Sequence, residues 1–494
     1  MDCLLGIDVG TSGAKVLLVR QDGNIVESVY REYKAEEQKS KWSEQNPEVW
    51  WQAIKSLLFE LKAKHSADYK SVIGIGFSGQ MHGLVMVDKN GQVIRPAITW
   101  LDQRSKKEVE DIYRVIPRDE FHQTTLNRAS SGFALPSLLW VKKNEPENFK
   151  RIHKIMQPKD YIRWKLIGEI ATDMSDASST VAFNTSKRTW ANEIIWVLGL
   201  SRDIFPDCFE GDTIAGTLLD SVSEELGLSK GVKVVYGGGD QPMQGVGNGA
   251  VSNGLMYTNM GTSGWISIFS DKPVHDTEYR THTLCHAIKK GWSIFGATLS
   301  SGLALRWIKN NILLMDDYAS MCASVADVPA GSEGVLFLPY LAGERTPHFD
   351  NDAKAVFHGL TLAHDRRHMI RAVMEGVVYS LKESFILFQD MGYQVKSVIA
   401  AGGGSRSDEW VQMQADIFEK PVKVIKINDQ ACLGAAMIAS VACGLFDSYQ
   451  SATNTFIKFR SKVFEPDIGK KGVYEDGFMR YKQLYFDNYE SFRR

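Results

Sequence analysis

Two short stretches carry the residue types that phosphate chemistry needs. Gly10-Thr11-Ser12-Gly13 recurs half a chain later as Gly261-Thr262-Ser263-Gly264. Each copy follows an apolar, strand-like run (Cys3–Ile7; Leu255–Tyr257) and precedes another (Val16–Val19; Trp265–Phe269), so each belongs in the tight turn of a hairpin. Glycine lets a ligand come close, successive turn N–H groups form a nest for an anion, and the hydroxyls add donors. Either copy alone is ordinary turn chemistry. The pair, in matching context, points to two grips on the phosphates of one nucleotide.

Three further constellations could act beside those turns. Asp8 ends the first strand, where a carboxylate either caps the turn or holds a magnesium ion through water. Gly237-Gly238-Gly239-Asp240-Gln241 follows the strand-like Val232–Tyr236. Its glycines clear space around a carboxylate, a place for a general base that takes a proton from a substrate hydroxyl. Ser78-Gly79-Gln80-Met81-His82-Gly83, with Trp100, Asp102 and Arg104, supplies donors, acceptors and flat apolar surface, the mix that binds a polyol or sugar.

Elements that could hold these residues follow from the pattern. Cys3–Val9, Ala14–Arg20 and Ile25–Tyr33 read as three strands, with Asp22-Gly23 as the second turn. A helix capped by Asn46 and opened by Pro47 buries Trp50, Ile54, Leu57, Leu58 and Leu61, and Ser71–Phe77 reads as a buried strand. In the second half, strands are expected at Thr283–Ile288, Ser293–Ala297, Ser397–Ala401 and Val422–Ile427. Helices are expected after Ser301-Gly302 and over Asp408–Glu419 and Gln430–Cys443. A meander followed by helix and strand is how a ribonuclease-H-like, actin-like unit begins. The second half repeats the theme, so the pattern points to an α/β chain of two such units, with residues 1–250 in one and 251–494 in the other.

A chain of 494 residues with 44% hydrophobic and 23% charged residues is an ordinary globular protein of more than one domain. A net charge of −2 offers no case for nucleic acid or an anionic membrane. No signal peptide is evident, and Ala431–Phe446 is shorter than the ~20 residues of a membrane span. Six scattered cysteines read as free thiols of a cytoplasmic protein; Cys432 and Cys443 would lie roughly 16 Å apart along one helix. Gly74-Ile75-Gly76-Phe77-Ser78-Gly79 matches the dinucleotide fingerprint but precedes a strand-like run (Leu84–Val87), so it is set aside. A Walker loop and the protein-kinase signatures are missing. His282/Cys285/His286 and His364/His368 lack the partners of a metal site and read as packed or solvated histidines.

Taken together, these residues resemble the FGGY carbohydrate kinases, and most closely the branch that phosphorylates xylulose. The resemblance rests on Gly6–Gly13, Ser78–Gly83, Asn144–Glu147, Pro158–Tyr161, Thr172–Ser178, Gly343–His348, Ala355–Glu375 and Gly402–Ser405. It implies an α/β fold of two ribonuclease-H-like, actin-like ATPase domains with a cleft between them, and transfer of the ATP γ-phosphoryl group to a ketopentose hydroxyl, with Mg2+. D-xylulose 5-phosphate is the first product expected; D-ribulose, gluconate and polyols are alternatives. Asp240 matches the catalytic base and Asp8 the metal-associated acid, with Asp240 beside the same metal. Met81 and His82, joined by Gln80, Trp100, Asp102 and Gln241, match the sugar side. Thr11, Ser12, Lys15, Gly261, Thr262, Gly302, Gly402, Gly403, Gly404 and Asp408 match the ATP side. Gln241, Leu101 and Ser137 stand where the xylulose branch carries Asn, Asn and Lys, and the glycerol-kinase pattern Asn-Gln-Arg-Glu is absent at Gln80-Met81-His82. The partner expected is a small-molecule sugar, with a homodimer left open. Rival classes are an actin- or chaperone-like ATPase without an acceptor and a sugar-sensing regulator; the presence of both Asp8 and Asp240 favours catalysis.

Overall fold

Strand β1 (Cys3–Val9) is almost wholly buried, as an apolar run covered on both faces must be. It pairs antiparallel with β2 (Gly13–Arg20), which pairs with β3 (Ile25–Glu32), so the expected meander forms. The computed structural model describes residues 1–33 and 41–493. Helix α1 (Pro47–Lys64) starts where its cap predicts: the Asn46 side chain accepts from the Glu48 N–H, and Trp50, Ile54, Leu57, Leu58 and Leu61 face the core. β4 (Val72–Gly79) runs parallel to β1 on its other side. A largely helical insertion follows, with its own core around Ile112, Phe121, Leu138 and Phe183; it includes the short α2 (Met174–Ser179). β5 (Ile214–Thr217) and β6 (Lys233–Val235) complete the order β5-β6-β4-β1-β2-β3, and the two-residue β7 (Gly238–Gly239) lies against the end of β4. Helix α3 (Asp240–Gly247) starts directly from β7.

A second seven-stranded sheet repeats this wiring. It contains β8 (Leu255–Met260), β9 (Gly264–Ser270), β10 (His282–Cys285), β11 (Trp292–Thr298), β12 (Ser397–Ala401), β13 (Val422–Ile425) and β14 (Phe459–Phe464), in the order β10-β11-β9-β8-β12-β13-β14. β8 pairs antiparallel with β9 and parallel with β12, and β12 pairs parallel with β13. That is the pattern of β1 with β2 and β4, and of β4 with β6. Helices α4 (Gly302–Trp307), α5 (Arg366–Asp390), α6 (Asp408–Phe418) and α7 (Gln430–Ala442) complete the elements that bear on the site. The architecture is two α/β, ribonuclease-H-like halves.

Helices α3 and α7 join the halves. A Cβ on Gly247 would lie 1.8 Å from the Gln430 carbonyl oxygen, and one on Gly434 would lie 2.1 Å from that of Met243. Backbone meets backbone there, which only glycine permits. The small-apolar run Ala431–Phe446, whose composition suggests a buried helix, is helical to Ala442 and buried to Ser440. Two expectations shift: Thr283–Ile288 is strand only over His282–Cys285, and Val422–Ile427 ends at Ile425. Among the described residues no helix is long and apolar enough to cross a membrane. All six cysteines are free.

Candidate active site

Sheet register brings the acids together. β1 sets Asp8 opposite Ser78 and Val9 opposite Gly79; β7 sets Gly238 and Gly239 against the same two residues. Asp8 and Asp240 therefore flank the end of β4 from either side. The Ser78 hydroxyl donates to Asp8 Oδ1 at 2.7 Å, and among the described residues Oδ2 has no hydrogen-bond partner. Asp240 opens α3, with Gly239 as the cap, so the turn expected at this carboxylate is a helix start. Burial pushes the Asp240 carboxyl up to about 7, with the Asp8 charge adding to it and the Gln241 N–H opposing. Burial likewise raises Asp8.

The first Gly-Thr-Ser turn is braced from behind. Tyr33 donates to the Gly10 carbonyl at 2.6 Å, Gln45 to the Thr11 carbonyl at 2.7 Å, and Trp100 Nε1 to Thr11 Oγ1 at 2.9 Å. Ser12 stays exposed. The second turn is held by the start of α4: Gly302 N–H donates to the Gly261 carbonyl at 2.7 Å, and Ser301 and Leu303 donate to that of Thr262. A Cβ on Gly302 would sit 2.5 Å from the Gly261 oxygen, so glycine is required at that contact.

Two adjacent cavities connect these parts. One of 190 Å³ lies between the halves and is lined by Asp8, Lys15, Asn259, Gly402, Asp429 and Gln430. The other, of 790 Å³, is walled by Gly261, Thr262, Gly302, Gly403, Gly404 and Asp408. Gly402 lines the first cavity and Gly403 the second, so residues from both ends of the sequence place Asp8 in a cavity next along the chain to one of nucleoside size. Lys15 pairs with Asp429 across the gap at 2.8 Å. Asp408 stands on the rim, half exposed, 2.9 Å from Lys462.

On the other side of Asp240, Met81 packs on Gly239, where a Cβ would lie 2.5 Å from Met81 Cγ. His82 adopts φ of 68°, lies flat on Phe133 with ring centroids 3.9 Å apart, and donates from Nδ1 to the Ser179 carbonyl at 2.8 Å. Burial pulls its pKa down to about 4, so the ring is neutral near pH 7 and Nε2 is an acceptor.

Comparison with known proteins agrees with this geometry. The N-terminal domain model of the FGGY family of carbohydrate kinases matches residues 3–247, and the C-terminal domain model matches residues 256–443. The chain belongs to the FGGY carbohydrate kinases. The xylulose kinase of Bacillus subtilis (strain 168) is 37% identical over 487 residues, 98% of this chain and 97% of that protein. The gluconokinase of the same organism is 31% identical, over 91% of this chain and 90% of that protein. The crystal structure of a xyloylose kinase from Brucella ovis superposes with a TM-score of 0.93 at 33% identity, covering 98% of this chain and 99% of that one. The protein is a sugar kinase, and the sugar kinases of this family use ATP.

Three sequence-derived sugar contacts of this FGGY kinase point elsewhere. Asp102 is fully buried, and both its oxygens are taken: the Ser43 N–H at 2.7 Å, the Arg104 N–H at 2.8 Å, and the Arg104 guanidinium at 2.9 and 2.7 Å. It holds its loop and has no acceptor left for a ligand. Gln241 donates to Tyr257 and Ser267 at 2.9 and 2.8 Å and accepts from Ser293 at 2.9 Å. It ties α3 to the second sheet. Gln80 is buried behind the first turn and donates to Gln45 at 2.9 Å, bracing the side chain that grips Thr11.

A buried cluster was not read as a unit from the sequence. Lys159 Nζ lies 2.6 Å from Asp160, 2.8 Å from Asp173 and 3.1 Å from Asp176, all with no exposed side-chain area. Burial alone would lower Lys159, and the three carboxylates more than reverse that. Burial pushes the Asp176 carboxyl well above the usual carboxylate range, and the Lys159 ammonium opposes that rise. The three acids are close enough to ligate a cation, and the ammonium already stands there. The signal was present in Pro158–Tyr161 and Thr172–Ser178, whose charges sit among apolar neighbours.

Proposed function

We propose that this kinase transfers the γ-phosphoryl group of ATP to a hydroxyl of D-xylulose, giving D-xylulose 5-phosphate. The observation that carries the reading is Asp240: a carboxylate with a pKa of about 7, at a helix start, between the Asp8 end of a phosphate-sized cavity and the His82–Met81 surface. A group poised near neutrality can take the hydroxyl proton as that oxygen attacks phosphorus. In this reading residues 1–250 supply the sugar side and the base, and residues 251–494 the nucleotide side. The relatives named for xylulose support the substrate, and the gluconokinase keeps an aldonate as the second reading.

The residues divide the work. The 790 Å³ cavity takes the nucleoside, with Gly403 and Gly404 against it and Asp408 on its rim. Thr11, Ser12 and Thr262, with their turn N–H groups, receive the phosphates in line between the halves. His82 Nε2 accepts from a sugar hydroxyl, and Met81 and Trp100 present apolar surface to the carbon chain. Asp240 accepts the proton, and closure of the halves excludes water. Magnesium fits beside Asp8: Oδ2 has no partner among the described residues, burial and the nearby Asp8 charge together raise the Asp240 pKa, and burial raises Asp8, a strain a cation would relieve. When bound it supplies neutralisation of the phosphate charge.

An ADP-release assay over ketopentoses, polyols and aldonates tests the substrate. D-xylulose is expected to give the highest kcat/KM. An aldonate or polyol exceeding it tenfold overturns the assignment.

A further inference from the structure

One short helix touches both sides of the site. At its start, the Ser175 hydroxyl donates to Asp173 Oδ2 at 2.5 Å, and the Ser175 N–H donates to the same oxygen at 2.7 Å. Asp173 spends its other oxygen on Lys159, 2.8 Å away. The only proton of the hydroxyl is thus committed, and its lone pair faces the Gly239 N–H, which donates to it at 2.9 Å. Gly239 is the residue before Asp240. At the far end of the helix, the Ser179 carbonyl holds His82 by Nδ1. In between, the Ser178 hydroxyl accepts from the Cys285 N–H of the second half at 3.0 Å.

We infer that Ser175, locked by Asp173 and Lys159, is a positioning residue that sets the strand end from which Asp240 projects. The inference rests on Asp240 as the base. Three features carry it. Lys159 reaches this point as a fully buried ammonium, whose partners within ion-pairing range among the described residues are the three carboxylates. Gly79 packs on the Lys159 backbone and Cβ, where a Cβ of its own would lie 3.0 Å from Lys159 Cβ, so the same cluster also backs the end of β4 beside Asp8. Gly238 leaves the room the hydroxyl needs: a Cβ there would lie 3.0 Å from Ser175 Oγ. Chemistry and sugar recognition are therefore mounted on one helix by different ends, and damage at Ser175 separates them.

The test compares Ser175→Ala, Ser175→Thr and Asp240→Asn in the full-length enzyme. Steady-state kinetics are measured with D-xylulose and ATP, and sugar binding is read by tryptophan fluorescence to count intact sites. Misplacing a reacting group by ~1 Å costs on the order of 100-fold. Ser175→Ala is expected to lower kcat about 10- to 100-fold per intact site. Both KM values and the sugar Kd should stay within about threefold, and Ser175→Thr, which keeps the hydroxyl, should recover most of the loss. A Ser175→Ala kcat within twofold of wild type overturns the inference, as does a loss that Ser175→Thr leaves unrestored. Should Asp240→Asn itself turn over normally, it is the base assignment that fails.

Discussion

Gly76→Ala is a sharp test of how α7 is mounted. Gly76 lies in β4, directly beneath α7. A Cβ there would stand 1.9 Å from the Ala435 carbonyl oxygen and 2.5 Å from its carbon. Normal contact begins near 3.4 Å. The obstacle is backbone, so no rotamer relieves it, and α7 has to retreat by roughly 1.5 Å, opening a gap along its whole buried face. Overpacking of this kind costs about 3 kcal/mol or more. At 2–4 °C per kcal/mol for large domains, Tm should fall by roughly 6–12 °C. The start of α7, with Asp429 and Gln430, walls the 190 Å³ cavity, so the KM for ATP should rise more than the KM for sugar. Gly472→Ala is the control, since a Cβ there meets nothing within 4 Å; its Tm should match wild type or exceed it slightly. Calorimetry and ATP titration read both effects. A Gly76→Ala enzyme with wild-type Tm and ATP KM would refute the packing argument.

Other outcomes follow from the same geometry. His82→Ala should raise the sugar KM about tenfold, the worth of one lost hydrogen bond, and leave the ATP KM within threefold; equal changes in both contradict the sugar-side placement. Glu344 is buried and accepts from Thr298, Leu299, Arg345 and Ser380, and burial raises its pKa from 4.5 to about 7. The folded state thus holds this proton more tightly than the unfolded state. The stabilisation is complete below about 4.5 and is lost as pH rises to about 7, a difference of about 3 kcal/mol. Glu344→Gln stays neutral, so its Tm relative to wild type should climb across that window and level off above it. A pH-independent difference would contradict the burial argument.

Much of the scaffold was legible because it depends on local chemistry. Cys3–Val9 and Ser397–Ala401 are apolar runs ending in glycine turns, and Asn46-Pro47 announces a helix start; all three lie where the pattern puts them. The doubled Gly-Thr-Ser turn was legible because each copy keeps its own flanking strands. Direction was not. Asp102 and Gln241 have the right types for sugar contacts, but Arg104 and Ser43 claim the first, and Tyr257 and Ser267 claim the second. Only the fold reveals those partners. The helix at Asp240 was hidden by its glycines, which read as loop; Gly247 is there for close approach to the second half. The Lys159 cluster was not read as a unit because only Asp160 adjoins the lysine in sequence; Asp173 ends a later strand and Asp176 lies in α2.

The central claim is that Asp240 takes the proton of the sugar hydroxyl. Turnover of purified Asp240→Asn tests it most directly, with Tm measured alongside. The account predicts a kcat lower by roughly 10²–10⁴-fold at a Tm within a few degrees of wild type. A well-folded Asp240→Asn enzyme that phosphorylates its sugar at a near wild-type rate contradicts it.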